Sequence, residues 1–94
     1  MSKVVEAAVA ALDPKAKGFD GTAKFVIEGE GAVYIDASGA RAADDAADVT
    51  LTASRETFEG LLSGDVNPTM AFMTGKLKVD GSMPTAMKLG ALLG

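Results

Sequence analysis

Short runs of strict alternation between apolar and polar residues constrain this chain more than any other feature. Ala23, Phe25 and Ile27 alternate with Thr22, Lys24 and Glu28, with Val26 the one apolar residue on the polar side. After a tight hairpin turn at Gly29-Glu30-Gly31, Val33 and Ile35 alternate with Tyr34 and Asp36. Val49 and Leu51 then alternate with Thr50 and Thr52, and Leu77 and Val79 with Lys76, Lys78 and Asp80. A period of two gives each strand one apolar and one polar face. The sheet is therefore covered on one side only, whereas a doubly wound parallel sheet would show unbroken apolar strands. A further short edge strand is expected around Ala40 to Ala43, where Ala and Gly give little pattern. The helices must gather on the single apolar face, which predicts a two-layer α+β domain.

Helical spacing supplies the second layer. Val4, Val5, Ala8, Val9 and Leu12 form one stripe, with Ser2 as N-cap and Asp13-Pro14 as the stop, because a residue before proline avoids the α region. Residues 13–21 then read as a loop. Ser54 caps a helix carrying Phe58, Leu61 and Leu62 that ends at Gly64. Asn67-Pro68 opens another, with proline at its first position, carrying Met70, Phe72 and Met73 and stopping at Gly75. Gly81-Ser82 precedes the last helix, on which Met83, Ala86, Met87 and Gly90 share a face.

Ninety-four residues make a single domain, 1–94. The chain has no Cys and no His, which removes disulfides, thiolate chemistry, Ser-His-Asp catalysis and zinc sites of the usual kind. Catalysis is not expected, and no cofactor and no metal are called for. A net charge of −4 argues against a grip on nucleic acid and against tight docking on anionic lipid, leaving at most transient membrane contact. No segment approaches a membrane span, and the N-terminal run is too interrupted for a signal peptide, so a cytoplasmic protein is expected.

Each polar cluster has a plain structural explanation. Asp44, Asp45 and Asp48 lack the glycine and terminal glutamate of a calcium-binding EF-hand loop and read as a solvated loop that keeps an edge strand from pairing. Gly29-Glu30-Gly31 is hairpin chemistry rather than a dinucleotide fingerprint. Lys76 and Lys78 could face an anionic head group, but read first as a solvated sheet face. Tyr34 reads as an amphipathic residue of the outer surface. The remaining signal is apolar. Four of the five methionines fall between Met70 and Met87, and flexible thioethers suit a surface that moulds to varied apolar ligands.

From Ala47 onward the order of residues is distinctive. Ala47-Asp48-Val49-Thr50-Leu51 leads into Glu56-Thr57-Phe58-Glu59-Gly60-Leu61-Leu62-Ser63-Gly64. Asn67-Pro68, Ala71-Phe72-Met73, Gly75-Lys76-Leu77-Lys78-Val79, Gly81 and Met87-Lys88-Leu89 follow. This run resembles the sterol carrier protein 2 family, with its "AD-x-T" strand start, its "G-x-x-x-P-x-x-A-F-x-x-G-K-L-x-x-x-G" block and its "M-K-L" helix. The resemblance implies a five-stranded, mostly antiparallel sheet with helices over one face around an apolar tunnel. It also implies non-catalytic binding, and in some members transfer, of sterols, fatty acids, acyl-CoA or phospholipids. Related domains act as accessory factors in ubiquinone biosynthesis. The chain ends at Gly94, where typical members continue. It has no peroxisomal Ser-Lys-Leu address, and Gly90, Ala91 and Gly94 fall where others are often polar. A shorter, more open pocket for plain hydrophobic ligands is expected.

On this reading, Phe25, Ile27, Val33, Ile35, Phe58, Leu62, Met70, Met73, Met83 and Met87 contact a small apolar lipid, bound by a monomer or weak dimer. A pocket of about 300 Å³, left empty at roughly 24 cal/mol per Å³, would cost about 7 kcal/mol. A domain of this size has only about 5–15 kcal/mol in total. The protein is therefore expected either to carry lipid or to collapse its helices over the pocket. The alternative function is a protein-interaction or accessory module, for example in isoprenoid quinone biosynthesis, docking through the apolar helix Met83 to Leu93.

Overall fold

A computed structural model describes residues 3–93, without the side chain of Leu93; the expected cap at Ser2 lies outside the described residues. Among them are five strands and four helices: α1 (Lys3–Ala16), β1 (Ala23–Ile27), β2 (Gly31–Asp36), β3 (Gly39–Ala42), β4 (Val49–Ala53), α2 (Arg55–Ser63), α3 (Pro68–Met73), β5 (Leu77–Gly81) and α4 (Met83–Leu93). The strands form one sheet in the order β3-β2-β1-β4-β5. Every neighbouring pair is antiparallel except β1 and β4, which run parallel with Ala23 opposite Val49. A reciprocal clasp sets that central register. The Thr22 N–H donates to Asp48 Oδ2 at 3.1 Å and the Asp48 N–H donates to Thr22 Oγ1 at 2.9 Å.

The alternation in the sequence is the alternation of burial. Ala23, Phe25 and Ile27 of β1, Val33 and Ile35 of β2, and Val49, Leu51 and Ala53 of β4 all point into one core. Val5, Ala8, Leu12 and Ala16 of α1, Phe58 and Leu61 of α2, Ala71 of α3, and Ala86 and Leu89 of α4 meet them there. Phe25 and Phe58 stack tilted by 60° with centroids 4.5 Å apart, within the range of favourable aromatic pairs. The caps fall where the sequence puts them. Ser54 accepts from the Thr57 N–H, and α2 ends at Gly64 in the left-handed conformation (φ 87°) that L side chains avoid. Asn67 accepts from the Thr69 and Met70 N–H groups ahead of Pro68.

Two expectations need correction. Helix α1 does not stop at Asp13-Pro14 but runs on to Ala16. Pro14 removes one backbone bond from the last turn and leaves its ring exposed, while Leu12 and Ala16 on either side are fully buried. Tertiary burial outweighs the local stop signal, and the Asp13 carboxylate accepts from the Ala40 N–H at 2.9 Å instead of ending the helix. Tyr34 is the second. It lies on the outer sheet face as expected, yet only 8% of it is exposed. The guanidinium of Arg41 sits 4.6 Å over its ring, and its hydroxyl donates to the Ala46 carbonyl at 3.3 Å. The loop following β3 therefore closes over part of the polar face, pinned further by Lys24 and Asp44 at 2.8 Å.

Candidate functional site

Helix α3 meets the sheet at β5 and α4 reaches across β5 and β4 to β1, and the two do not close over the β5 end. Between them lies a groove of about 510 Å³, open to solvent. Leu51, Leu77 and Val79 floor it from β4 and β5. Asn67, Pro68, Thr69 and Phe72 form one wall, and Met83, Ala86, Met87, Gly90 and Ala91 form the other. The sequence builds each wall locally. The Asn67 cap and Pro68 start α3, and backbone bonds from Thr74 to Met70 and from Lys76 to Ala71 turn the chain straight into β5. Ser82 starts α4: its N–H donates to the Asp48 carbonyl at 2.9 Å, its carbonyl accepts from the Ala86 N–H, and its hydroxyl accepts from Thr85 Oγ1 at 3.1 Å. On the far side of α4, Lys88 meets Asp20 at 2.9 Å.

The groove is apolar in its chemistry as well as its shape. Among the described residues every buried side-chain nitrogen or oxygen has a hydrogen-bond partner, so no sealed polar atom is left for a head group to satisfy. None of the groups whose pKa shifts lies in the groove. Asp36 is held down at about 2 by hydrogen bonds first from Arg41 and then from Ser38, and Asp20 is lowered by Lys88; both are at the solvent surface. Among the described residues no cluster of His, Cys, Asp and Glu is placed to hold a metal ion. What the arrangement can do chemically is bury an apolar chain.

The ten residues expected to contact lipid do not come together. Met83 and Met87 line the groove. Phe25, Ile27, Val33, Ile35 and Phe58 are sealed in the core, none more than 1% exposed, and Leu62 packs against that core. Met70 and Met73 sit on α3 outside the lining, 57% and 72% exposed. Sequence reasoning missed Leu51, Pro68, Phe72, Leu77 and Val79 as lining. The shared face of Met83, Ala86, Met87 and Gly90, by contrast, is one wall of the groove.

The five-stranded sheet and its one-sided helical layer match a known fold. Residues 3–94 match the model of the SCP-2 sterol transfer family. The chain belongs to that family. The sterol carrier protein 2 of Yarrowia lipolytica, in its apo form, superposes with a TM-score of 0.71 at 26% identity, over 94% of this chain and 76% of that one. The sterol carrier protein-2 of Aedes aegypti, solved in complex with palmitate, has a TM-score of 0.75 at 22% identity, over 100% of this chain and 97% of that one. In sequence, the hydroxysteroid dehydrogenase-like protein 2 of Bos taurus is 49% identical over 49 residues, 52% of this chain. The chain spans only 12% of that relative's length. Among the described residues, no helix of this SCP-2 family member is long and apolar enough to cross a membrane.

Proposed function

We propose that this protein is a non-catalytic carrier that binds one apolar lipid chain in the groove between α3 and α4. The observation that carries this reading is the groove itself, about 510 Å³ floored by Leu51, Leu77 and Val79 and walled by Phe72, Met83 and Met87. Its size falls within the roughly 300–1,000 Å³ of small-molecule sites. Family membership supports lipid as the ligand class, and the palmitate held by the Aedes aegypti protein of the same fold supplies the chain type to test first.

The open form answers the energetic difficulty of an empty pocket. A sealed apolar void loses all contact on one side, but a groove open to water is wetted when vacant and leaves apolar surface uncovered. Ligand then contributes by covering it, about 0.8 kcal/mol for each CH₂ buried, so affinity should follow chain length more than head-group chemistry. The alternative reading, a protein-interaction or quinone-accessory module, would use the exposed methionines of α4 without the groove. Carriage uses both.

Native mass spectrometry of the purified protein, with solvent extraction, tests the proposal together with titration by a fluorescent fatty acid. Met87→Asp places a carboxylate on the groove wall and is expected to abolish uptake, whereas Asp44→Ala leaves it unchanged. Normal uptake by Met87→Asp would sink the assignment.

A further inference from the structure

We infer that Met83 and Met87 are a site of reversible oxidation, at which a hydroperoxide converts their sulfurs to sulfoxides and shuts the groove to lipid. This rests on carriage and adds the means by which that same groove is turned off. Among the described residues, the large hydrophobic side chains left exposed are Phe72 and the methionines Met70, Met73, Met83 and Met87. An accessible thioether is a common target of oxidation, and its sulfoxide is returned to methionine by dedicated reductases.

The chain concentrates its oxidisable chemistry here. It has no Cys, no His and no Trp, and its one Tyr is buried. Peroxide therefore meets methionine before any other side chain. Met83 and Met87, 47% and 73% exposed, line the groove, whereas Met70 and Met73 are as open to water but stand on α3 outside the lining. Both pairs are open to oxidant, and only one pair touches the ligand's path. None of the four lies in the core, so oxidation can change the groove without loosening the fold.

The step balances with the peroxide as oxidant. A methionine sulfur attacks the outer oxygen of the hydroperoxide and the O–O bond breaks. The proton of the outer oxygen passes to the departing one, which leaves as water from hydrogen peroxide or as an alcohol from an organic hydroperoxide. Sulfur is oxidised by two electrons and the peroxide reduced by two. A flexible apolar side chain then ends in a polar S=O. In the vacant groove that oxygen stays hydrated. Beneath a lipid chain it is stripped of water, and burying a polar group without a partner is unfavourable. The polar side chains of the lining, Asn67 and Thr69, belong to the opposite wall. An S=O turned toward them would lie across the groove and bar the lipid instead.

Titration with hydrogen peroxide tests the inference, with peptide mass mapping to locate each sulfoxide. Catalase then removes the excess, and uptake of a dansyl-labelled fatty acid is read beside the circular dichroism. Wild type oxidised at Met83 and Met87 should lose affinity by about tenfold or more, the effect of burying unsatisfied polar groups, with the circular dichroism unchanged. Methionine sulfoxide reductases for both epimers, with dithiothreitol, should restore it. Met83→Leu with Met87→Leu keeps the wall apolar without sulfur, so peroxide should change that variant's own uptake less than about twofold. Met70→Leu with Met73→Leu should lose uptake on peroxide as wild type does. Met1, outside the described residues, is common to both variants. Palmitate at about ten times its Kd should slow oxidation of Met83 and Met87 by up to about tenfold and leave Met70 and Met73 reacting as before.

Full uptake by wild type with both groove sulfoxides formed would overturn the switch and leave carriage standing. So would an equal loss, on peroxide, from the Met83/Met87 variant. A loss that the reductases fail to reverse, or that comes with unfolding, would be damage rather than a switch and would overturn the inference too. Palmitate that is taken up yet shields neither Met83 nor Met87 would place the ligand away from these sulfurs, with the same consequence. Unoxidised wild type that takes up no fatty acid would sink carriage, and the switch with it.

Discussion

At the β3 end of the sheet, α1 lies flat with Val5, Ala8, Leu12 and Ala16 buried, Asp13 clasps Ala40, and Arg41 covers Tyr34 while bonding Asp36 at 2.8 Å. At the β5 end, two short helices stand apart over the strands and leave five large apolar side chains in water. Same sheet, same alternation, opposite closure. The contrast teaches where a small domain can tolerate an uncovered apolar surface. The sealed end supplies cohesion, so the open end can spend its apolar residues on a ligand and draw on the low-stability part of the structure for opening.

The largest effect expected from this contrast is in the core. Phe25→Ala removes a fully buried ring stacked on Phe58 and should cost about 3–5 kcal/mol. Met87→Ala, at a position 73% exposed, should stay within about 0.5 kcal/mol. Urea denaturation measures both. Comparable losses would mean that the β5 end is ordinary core and that the contrast is false.

Next comes the joint between α1 and β3. Gly39 has φ +125°, and a Cβ there would press into the Asp13 carboxylate. Gly39→Ala therefore adds backbone strain of about 1–3 kcal/mol and loses the bond from Ala40 to Asp13, worth about 1 kcal/mol more. Faster exchange of the Ala40 amide, together with the stability loss, would locate the damage at this joint. A loss with Ala40 still protected would place it elsewhere.

The sheet was legible because strand alternation is local: Phe25 and Ile27 face the core for the same reason that Lys24 does not. Caps at Ser54 and Asn67 were equally local. Asp13-Pro14 misled because burial of Leu12 and Ala16 is decided by distant strands, and Tyr34 because its cover arrives from the loop ending at Asp48. The groove was half legible for the same reason. Periodicity put Met83, Ala86, Met87 and Gly90 on one face, but nothing local says which part of the apolar sheet α1 and α2 seal. Helix α1 lands over β3 and β2 and Phe58 of α2 stacks on Phe25, which shuts Phe25, Ile27, Val33 and Ile35 away and leaves Leu51, Leu77 and Val79 to floor the groove.

Gly90 offers a way to sharpen the contrast by closing the open end. It lies inside α4 and lines the groove, and a Cβ there meets only Pro68 at an ordinary 3.8 Å. Gly90→Leu replaces a poor helix former and should raise stability by up to about 1 kcal/mol, or about 4–8 °C in Tm for a domain this small. The same side chain fills the groove, so fatty-acid uptake should fall about tenfold or more, the loss of about two methylenes of contact. A variant that is more stable and still takes up ligand would remove the groove as the binding site.

The smallest effect tests whether acid loosens the sealed end first. Asp36 has a carboxyl lowered from 3.8 to about 2, chiefly by the hydrogen bond from Arg41 and then by Ser38. Because the folded value is the depressed one, this contribution is complete above about pH 4 and disappears as pH falls through the window from 4 to 2. Asp36→Asn should therefore reduce stability slightly at neutral pH and flatten its decline across that window. Asp20, lowered by Lys88 of α4, has the same sign, so Asp20→Asn should act in the same direction. What separates them is location: loss of the Asp36 pair should show first in amide exchange of β3, loss of the Asp20 pair in α4. If both variants report in α4, the sealed end is not held by its ion pairs, and the burial of α1 alone accounts for its closure.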